Sequence, residues 1–507
     1  MSTGALVPAA DPVLTVEETK AHEEALFGGD DAKAWRAMVA AGSALARALL
    51  QDYREVQAWP VAPRLLVLAG KGHNGGDALI AARVLLEALP GATADVRMVY
   101  DGLRPLAQRA RRELQHTGGE RVRWLRREAP LTGAYDVSLD GVFGFQFRPP
   151  VDAVAAAALA QANQARVHLR AAVDLPSGLG DPAGFVADFT YSTGIVKQAV
   201  LEPAVAGQVG RLRYLNLGFF EGTPRPDDTD RVSVLTQGTL APLRRLRPAS
   251  ADKRHYGHLF VIGGSRSYPG AVLMAVQGAL RSGVGLLTAF VPEPLAGPFA
   301  AQVPEAMWVG CPETPDGGLA LEGLHLVRER AARATALLAG PGLAREGETL
   351  ALVGDLLERL PLPVVLDADA LQPGLIGRGR HPRILTPHAG EYARIAGNRT
   401  PRTFALESEA VVVCKGAPTR VTDGRREHLS LAGGPVLARG GSGDILAGMI
   451  GGLLAQYPDA PLGVAGAAVL WHGLAADALA RSRGATAVRT TELLDHLSDA
   501  LRAGFEP

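Results

Sequence analysis

The sequence predicts an α/β protein of two units, each a parallel sheet covered by helices, and three observations carry that prediction. Short apolar runs end repeatedly in Gly or Asp. Glycine-rich loops follow several of these runs and lead into apolar helical stretches. A polar segment with two prolines, residues 221–230, interrupts the pattern where the chain can neither continue a helix nor sit in a central strand. At 507 residues the chain exceeds one ordinary domain. The expected division is a first domain at 1–222, a linker at 223–232 and a second domain at 233–507.

In the first half, Arg64–Ala69 reads as a buried strand, followed by a glycine-rich loop and a helix from about Leu79 to Leu89. Asp95–Tyr100, Asp136–Leu139 and Val167–Val173 read as further strands, the last two running into Asp140 and Asp174. In the second half, Leu259–Ile262 is a strand ending in Gly263-Gly264-Ser265, and Gly270–Arg281 is a helix. Leu286–Val291, Ala336–Ala339, Val364–Leu366 and Ala410–Cys414 are later strands, and helices Ile445–Ala455 and Val464–Ala480 close the chain. Strands alternating with helices predict parallel sheets with ligands at the strand C-terminal ends. The two halves do not read as copies of each other.

Lys+Arg and Asp+Glu are both 52, so the formal net charge is zero and nothing points to a nucleic-acid or anionic-membrane partner. Hydrophobic residues make up 47% and charged residues 21%, a globular balance. Only two cysteines occur, Cys311 and Cys414, which argues for a reducing cytoplasm and against a cysteine metal site. Residues 1–12 lack a basic region followed by an apolar core, so no secretory signal is expected. No uninterrupted apolar run reaches the ~18 residues of a membrane span.

Gly440-Gly441-Ser442-Gly443-Asp444 enters the helix from Ile445. Glycines admit a ligand close to the backbone, and the helix start directs N–H groups and the positive dipole end at it. Asp444 is the unusual member. A carboxylate repels phosphate, so it points to proton transfer with a substrate hydroxyl, the alternative being a helix cap. In the first half, Gly70-Lys-Gly-His-Asn-Gly-Gly-Asp77 likewise presents backbone N–H groups, without the spacing of a Walker loop or of the usual dinucleotide fingerprint. Asn74, Asp77, Asp140 and the Val173-Asp-Leu-Pro-Ser-Gly178 segment supply oxygen donors suited to a hard cation; an ordinary turn is the alternative for Asp174–Gly178.

Gly-x-x-Asn-Gly-Gly-Asp after a strand, then Asp-x-x-Phe-Gly, then Val-Asp-x-Pro-Ser-Gly resembles the NAD(P)H-hydrate epimerase family, the YjeF-type N-terminal domain, over roughly Leu14–Phe220. The resemblance implies a Rossmann-like three-layer sandwich that interconverts the R and S forms of hydrated NAD(P)H. It implies potassium on Asn74, Asp140 and Ser177. It implies substrate contacts from His73, Asn74, Gly75, Gly76 and Asp77, from the loop Gly144, Phe145, Gln146, Phe147 and Arg148, and from Asp174, the acid/base candidate. His73 stands where the family usually has Asn, Phe145–Phe147 replace a small-residue loop, and Met38–Gly42 lacks a usual acid.

In the second half, Lys253–His258, Gly263–Ser265 with Tyr268–Ala271, Gly340–Leu343, Asp367–Ala370, Thr386–Glu391, Lys415–Thr419 and Gly440–Asp444 all fall at strand ends or helix starts. Their order resembles the ADP-dependent NAD(P)H-hydrate dehydratase family, a ribokinase-like α/β domain, over roughly Leu243–Leu501. The resemblance implies ADP as phosphoryl donor, Mg2+ on the nucleotide, and release of AMP and phosphate as the S-hydrate returns to NAD(P)H. Asp444 would take the C6 hydroxyl proton while the N–H groups of Gly441, Ser442 and Gly443 stabilise the transferring group. Lys415, Gly416, Ala417, Pro418, Thr419 and Gly441–Gly443 would contact the nucleotide, and Ala271, Gly342, His388 and Asp444 the hydrate. For His388 a helix cap is the alternative, and Asp367 and Asp369 are left outside the catalytic set. Ser442, Ala344 and Ala389 replace residues common in the family.

The expected protein is thus a cytoplasmic bifunctional repair enzyme acting on NAD(P)H hydrates and ADP, assembled as a homo-oligomer, with no nucleic-acid or membrane partner. Two alternatives stay open. One is a ribokinase-like small-molecule kinase; the other is a dehydratase joined to a non-catalytic N-terminal binding module.

Overall fold

A computed structural model describes residues 6–222 and 231–503. They separate into two compact units, one of residues 11–222 and 480–485, the other of residues 6–10, 231–479 and 486–503. Of the expected linker, residues 223–230 lie outside the described residues, and Val232 already opens a strand. Residues 6–10 belong with the second unit for a local reason. The Ala9 N–H donates to Thr239 Oγ1 at 3.0 Å, and the Ala9 carbonyl accepts from the Thr236 N–H at 2.8 Å.

The short strand β1 (Ala10–Pro12) sits at the edge of the second unit's sheet. The first unit holds β2 (Arg64–Ala69), β3 (Thr93–Met98), β4 (Val122–Leu125), β5 (Ala134–Gly141), β6 (Arg166–Val173), β7 (Phe189–Thr193) and β8 (Arg211–Leu215). They pair in the order β4-β3-β2-β5-β6-β7-β8, every pair parallel. The order reverses at β2, which opens a crevice between the ends of β2 and β5. Strands β7 and β8 escape a search for apolar runs because they bury Thr190, Ser192 and Arg213.

Among the described residues the longer helices of this unit are α1 (Val16–Phe27), α2 (Asp31–Asp52), α3 (His73–Ala88), α4 (Pro105–Gly118) and α5 (Ala153–Gln164). Their starts are written in the sequence. Thr15 and Glu18 form a capping box on α1, and the side chains of Asp30 and Asp152 cap α2 and α5. Trp35, Met38, Gly42, Leu45 and Leu49 fall on one face of α2 and are buried. That face joins Val67, Ala69, Leu79, Leu85 and Val96 in one core, where each large side chain removed from water contributes about 1.5–3 kcal/mol.

The second unit holds β9 (Val232–Leu235), β10 (His258–Ile262), β11 (Leu286–Pro292), β12 (Met307–Cys311), β13 (Ala336–Ala339), β14 (Val364–Leu366), β15 (Arg383–Leu385), β16 (Val411–Cys414), β17 (Thr419–Thr422) and β18 (Glu427–Ser430). With β1 they form an eleven-stranded sheet ordered β1-β9-β18-β17-β16-β15-β14-β13-β10-β11-β12. Strands β10 to β16 are parallel, and β16, β17 and β18 form an antiparallel meander. The order reverses between β10 and β13, again opening a crevice at the strand ends.

Helix Ser442–Gln456 is buried from Ile445 to Ala455. It lies close against helix Pro269–Arg281, where a Cβ on Gly278 or Gly448 would collide with the facing backbone. Helix Pro461–Arg483 is long and apolar enough to cross a membrane by composition, but 89% of its most apolar window is buried inside the fold, as in a core helix.

Candidate functional site

In the first unit the expected glycine loop is shorter than the sequence suggests. The chain leaves β2 at Ala69, turns through residues 70–72 and enters α3 at His73. Asn74, Gly75, Gly76 and Asp77 therefore form the first turn of a helix expected to begin near Leu79. The close approach requires glycine: a Cβ on Gly76 would overlap Met38, and one on Gly75 the Gly70 backbone. With Gly72 at the cap and no side chain bonded there, the first-turn N–H groups face the crevice.

Asn74 spans that crevice. Its Nδ2 donates to Phe143 O at 2.8 Å and to Val173 O at 2.9 Å, tying the ends of β5 and β6. Its Oδ1 faces Gly144, where a Cβ would stand 2.9 Å away. Asp140 is wholly buried and accepts the Ser177 N–H at 2.7 Å, while Ser177 Oγ accepts the Phe143 N–H at 2.8 Å. Burial pushes the Asp140 carboxyl up to about 6 against the opposing pull of its Ser177 hydrogen bonds. The three residues expected around potassium thus meet in one hydrogen-bonded group. Their donors are all oxygens, which fits an alkali cation. Among the described residues no three His, Cys, Asp or Glu side chains cluster as metal ligands.

Asp174 closes the same crevice from β6. Its backbone is left-handed at φ +67°, a conformation that costs about 1–3 kcal/mol for a residue with a Cβ. Two bonds hold it there. The Asp174 N–H donates to Tyr191 O at 2.9 Å, and Ser192 Oγ donates to Asp174 O at 3.1 Å. Its carboxylate is ion-paired with Lys197, both side chains being buried. Around this pair burial, reinforced by Asp174, pushes Asp77 well above the usual carboxylate range. Glu23, on α1, rises to about 7 for the same leading reason, with Lys197 opposing. Phe145 covers the pair, with Lys197 Nζ 5.6 Å from its ring centroid, and Phe143 stacks on Phe147 at 4.7 Å. His73, Gln146 and Arg148 are exposed and stand outside this cluster.

Sequence reasoning missed Lys197 and Glu23. Lys197 left a trace as the one charged residue between Asp188 and Glu202. Glu23 left none, sitting in an acidic helix among other carboxylates.

In the second unit, helix Ser442–Gln456 starts from Gly441, which takes the left-handed conformation at φ +92°. A Cβ there would collide with the Met274 sulfur. Ser442 turns inward: its hydroxyl donates to Leu437 O at 2.7 Å and Arg439 O at 3.0 Å, and its N–H also leans on Arg439 O at 3.4 Å. Of the Gly441, Ser442 and Gly443 N–H groups expected to face an anion, that of Ser442 is thus turned toward the preceding turn. Behind Ser442, burial pushes the His472 imidazole down to about 4, so it is neutral.

Burial, aided by Asp367, pushes the Asp444 carboxyl up to about 6, and Lys415 opposes the rise. Lys415 Nζ lies 2.9 Å from Asp367 and 3.9 Å from Glu391, and 3.2 Å from where a Cβ on Gly443 would be. Asp367, left outside the catalytic set on sequence, is thus the counter-ion that fixes this lysine; Thr386 Oγ1 donates to it at 2.6 Å. Gly416–Thr419 form the turn from β16 to β17, closed by Thr419 Oγ1 on Gly416 O at 2.9 Å.

His388 takes the capping role left open by the sequence. Its Nδ1 accepts the Gly390 N–H at 3.0 Å at the start of helix Ala389–Ala396, and its side chain is 61% exposed. The Lys415 N–H donates to Pro387 O at 2.9 Å, which brings His388 beside the end of β16. Gly342 has φ +64°, and a Cβ on it would stand 3.1 Å from Ala271 Cβ, so these two residues meet at the β10/β13 switch.

Residues 259–499 match the family described as NAD(P)H-hydrate dehydratase, and residues 36–199 match the YjeF-related protein N-terminus. The chain is 37% identical to the bifunctional NAD(P)H-hydrate repair enzyme Nnr of Gloeobacter violaceus, over 87% of this chain and 89% of that one. It is 34% identical to the enzyme of the same name from Moorella thermoacetica, over 87% of each chain. Among solved structures, an ADP/ATP-dependent NAD(P)H-hydrate dehydratase from Bacillus subtilis, co-crystallised with ATP and Mg2+, is 29% identical. That match covers 53% of this chain and 97% of that one, with a TM-score of 0.46.

Proposed function

The chain belongs to the bifunctional NAD(P)H-hydrate repair enzyme family, and from that premise we propose how its two units divide the work. The second unit takes ADP and the S-hydrate. Asp444 accepts the proton of the C6 hydroxyl as that oxygen attacks the terminal phosphoryl group, and AMP leaves. Hydroxide is a poor leaving group and phosphate a good one. The ring nitrogen lone pair then expels phosphate, and loss of a C5 proton restores the dihydropyridine ring of NAD(P)H. The N–H groups of Gly441 and Gly443, with the Lys415 ammonium, stabilise charge on the transferring group. Mg2+ bound with the nucleotide would neutralise its phosphates.

One observation carries this reading. Asp444 is a partly desolvated carboxylate in the first turn of a helix, within electrostatic reach of a lysine that two other acids hold charged. A carboxyl near 6 is ionised at neutral pH yet basic enough to take a proton.

The first unit interconverts the R and S hydrates at the Asp174–Lys197 pair. Asp174, held in direction by its ion pair with Lys197, removes or returns a proton at the hydrated ring, and Phe145 shields the exchange from water. Asn74, Asp140 and Ser177 would hold K+, which would fix the loop ends around the substrate. Two unpaired thiols, Cys311 and Cys414, fit a reducing cytoplasm.

Hydrated NADH incubated with the protein and ADP regains absorbance at the reduced-nicotinamide band, and an R-enriched mixture is consumed completely. Recovery with ATP that leaves a phosphorylated product instead would favour a kinase. Consumption of the S portion alone, beyond spontaneous epimerisation, would mark the first unit as inactive.

A further inference from the structure

The crevice at the ends of β2 and β5 is not the only opening in the first unit. An open groove of about 670 Å3 lies over the neighbouring strand β3, between its end and α4 and β4. That volume is within the range of small-molecule sites. Tyr100, Asp101, Gln108, Arg111, Arg112 and Trp124 line it, and no member of the Asp174 cluster does. Two contacts tie its rim to the turn after β2. The Arg104 N–H donates to Lys71 O at 3.0 Å, and Lys71 Nζ stands 5.7 Å from the Tyr100 ring centroid. The groove therefore begins where the turn after β2 ends.

Its chemistry is specific. Arg111 and Arg112 are exposed, and the Arg111 guanidinium lies 4.7 Å from the Trp124 ring centroid. The one acid of the lining, Asp101, is already paired with Arg127. Guanidinium groups beside aromatic faces suit a purine that carries a phosphate. Position adds to this. The groove lies at the end of β3, next to the loop-bearing strand, and its arginines sit on the helix that follows; ligands of doubly wound sheets gather at these strand ends.

We propose that this groove is the subsite for the adenosine 2′-phosphate end of hydrated NADPH, with Arg111 and Arg112 on the phosphate and Trp124 against the base. The first unit accordingly prefers hydrated NADPH to hydrated NADH. This rests on the reading of that unit as an epimerase of the hydrated dinucleotide.

The test uses the full chain and the R111A/R112A double variant, whose two positions are exposed. Adenosine 2′,5′-bisphosphate and 5′-AMP are titrated by calorimetry with ADP present to occupy the second unit. The bisphosphate binds the unaltered chain at least tenfold tighter than 5′-AMP, and the variant loses that difference. In parallel, KM for epimerisation of hydrated NADPH rises at least tenfold in the variant, while hydrated NADH and the dehydration step are unaffected. Equal binding of the bisphosphate by both chains, or equal loss on both hydrates, overturns the proposal. If the unaltered chain epimerises neither hydrate yet binds the bisphosphate through these arginines, the subsite stands and the epimerase reading falls.

Discussion

Asp174 and Asp444 are the same residue type, one just past the end of a strand and the other in the first turn of a helix, and their surroundings prepare them oppositely. Asp174 is locked to a buried ammonium and bent into a left-handed backbone. Asp444 sits in a relaxed helical turn, with its lysine already shared by Asp367 and Glu391, and burial lifts its carboxyl to about 6. Residue type alone therefore does not set a role. An ion pair fixes a carboxylate's direction, whereas the carboxyl that burial lifts to about 6 is poised to gain and lose a proton.

The sharpest way to break this contrast is Asp444→Asn. It keeps shape and removes the base, so dehydration falls by about 10²–10⁴-fold with circular dichroism unchanged. Turnover near that of the unaltered chain would end the mechanism. The sign of the stability change is also set. The folded carboxyl is higher than in the unfolded chain, so its contribution is full below the unfolded value of 3.8 and is lost as pH rises through about 6. The variant therefore melts higher than the unaltered chain at pH 8, and the gap closes toward pH 4.

Asp174→Asn should slow epimerisation by about 10²-fold or more and leave dehydration of the S-hydrate alone. It also strands Lys197 as an unpaired buried charge, at a cost of about 3–5 kcal/mol. The double variant Asp174→Asn with Lys197→Met recovers stability without activity. A single variant with normal melting would show that the pair does not hold the site. Recovery of activity in the double variant would remove Asp174 from the chemistry.

Lys415 tests the second half of the contrast. It holds Asp444 down against burial, so Lys415→Met moves the acid limb of dehydration kcat/KM from near pH 6 to higher pH. The base must be ionised, so activity rises with pH through this limb and then levels. ADP affinity should fall with the lost ammonium. An unmoved limb would separate Lys415 from Asp444.

The positions of both aspartates were legible in the sequence because apolar runs ending in Asp, or glycine loops entering apolar helices, have few other readings. The run Arg166–Val173, which ends at Asp174, and the buried stretch Ile445–Ala455, which follows Asp444, are such cases. What surrounds the aspartates was not legible. Lys197 lies 23 residues beyond Asp174, and Asp367 lies 48 before Lys415; only the folded sheet brings them together. Ser442 reads as an anion-facing backbone N–H from its glycine neighbours, but the preceding turn claims its hydroxyl and draws its N–H. The start of α3 was read too late because Gly75 and Gly76 look like loop, whereas packing against Met38 and Gly70 makes them helix.

Left-handed backbone offers the mildest test of the contrast. Asp174 at φ +67° and Ala344 at φ +65° share a conformation that favours glycine. At Asp174 the side chain that strains the backbone also carries the chemistry. At Ala344, two residues beyond Gly342, the methyl group has no such use, and the N–H donates to Asp369 at 3.2 Å through an atom that glycine retains. A left-handed alanine costs about 1–2 kcal/mol, and glycine returns about 0.5–1 kcal/mol of that through the freedom of the unfolded chain. Ala344→Gly should therefore stabilise the second unit by about 0.5–1 kcal/mol, read as a small rise in its melting temperature with dehydration rates unchanged. Asp174→Gly relieves the same strain and abolishes epimerisation. A destabilised Ala344→Gly would mean that the turn after β13 depends on its methyl group, and that strain at the two sites is not of one kind.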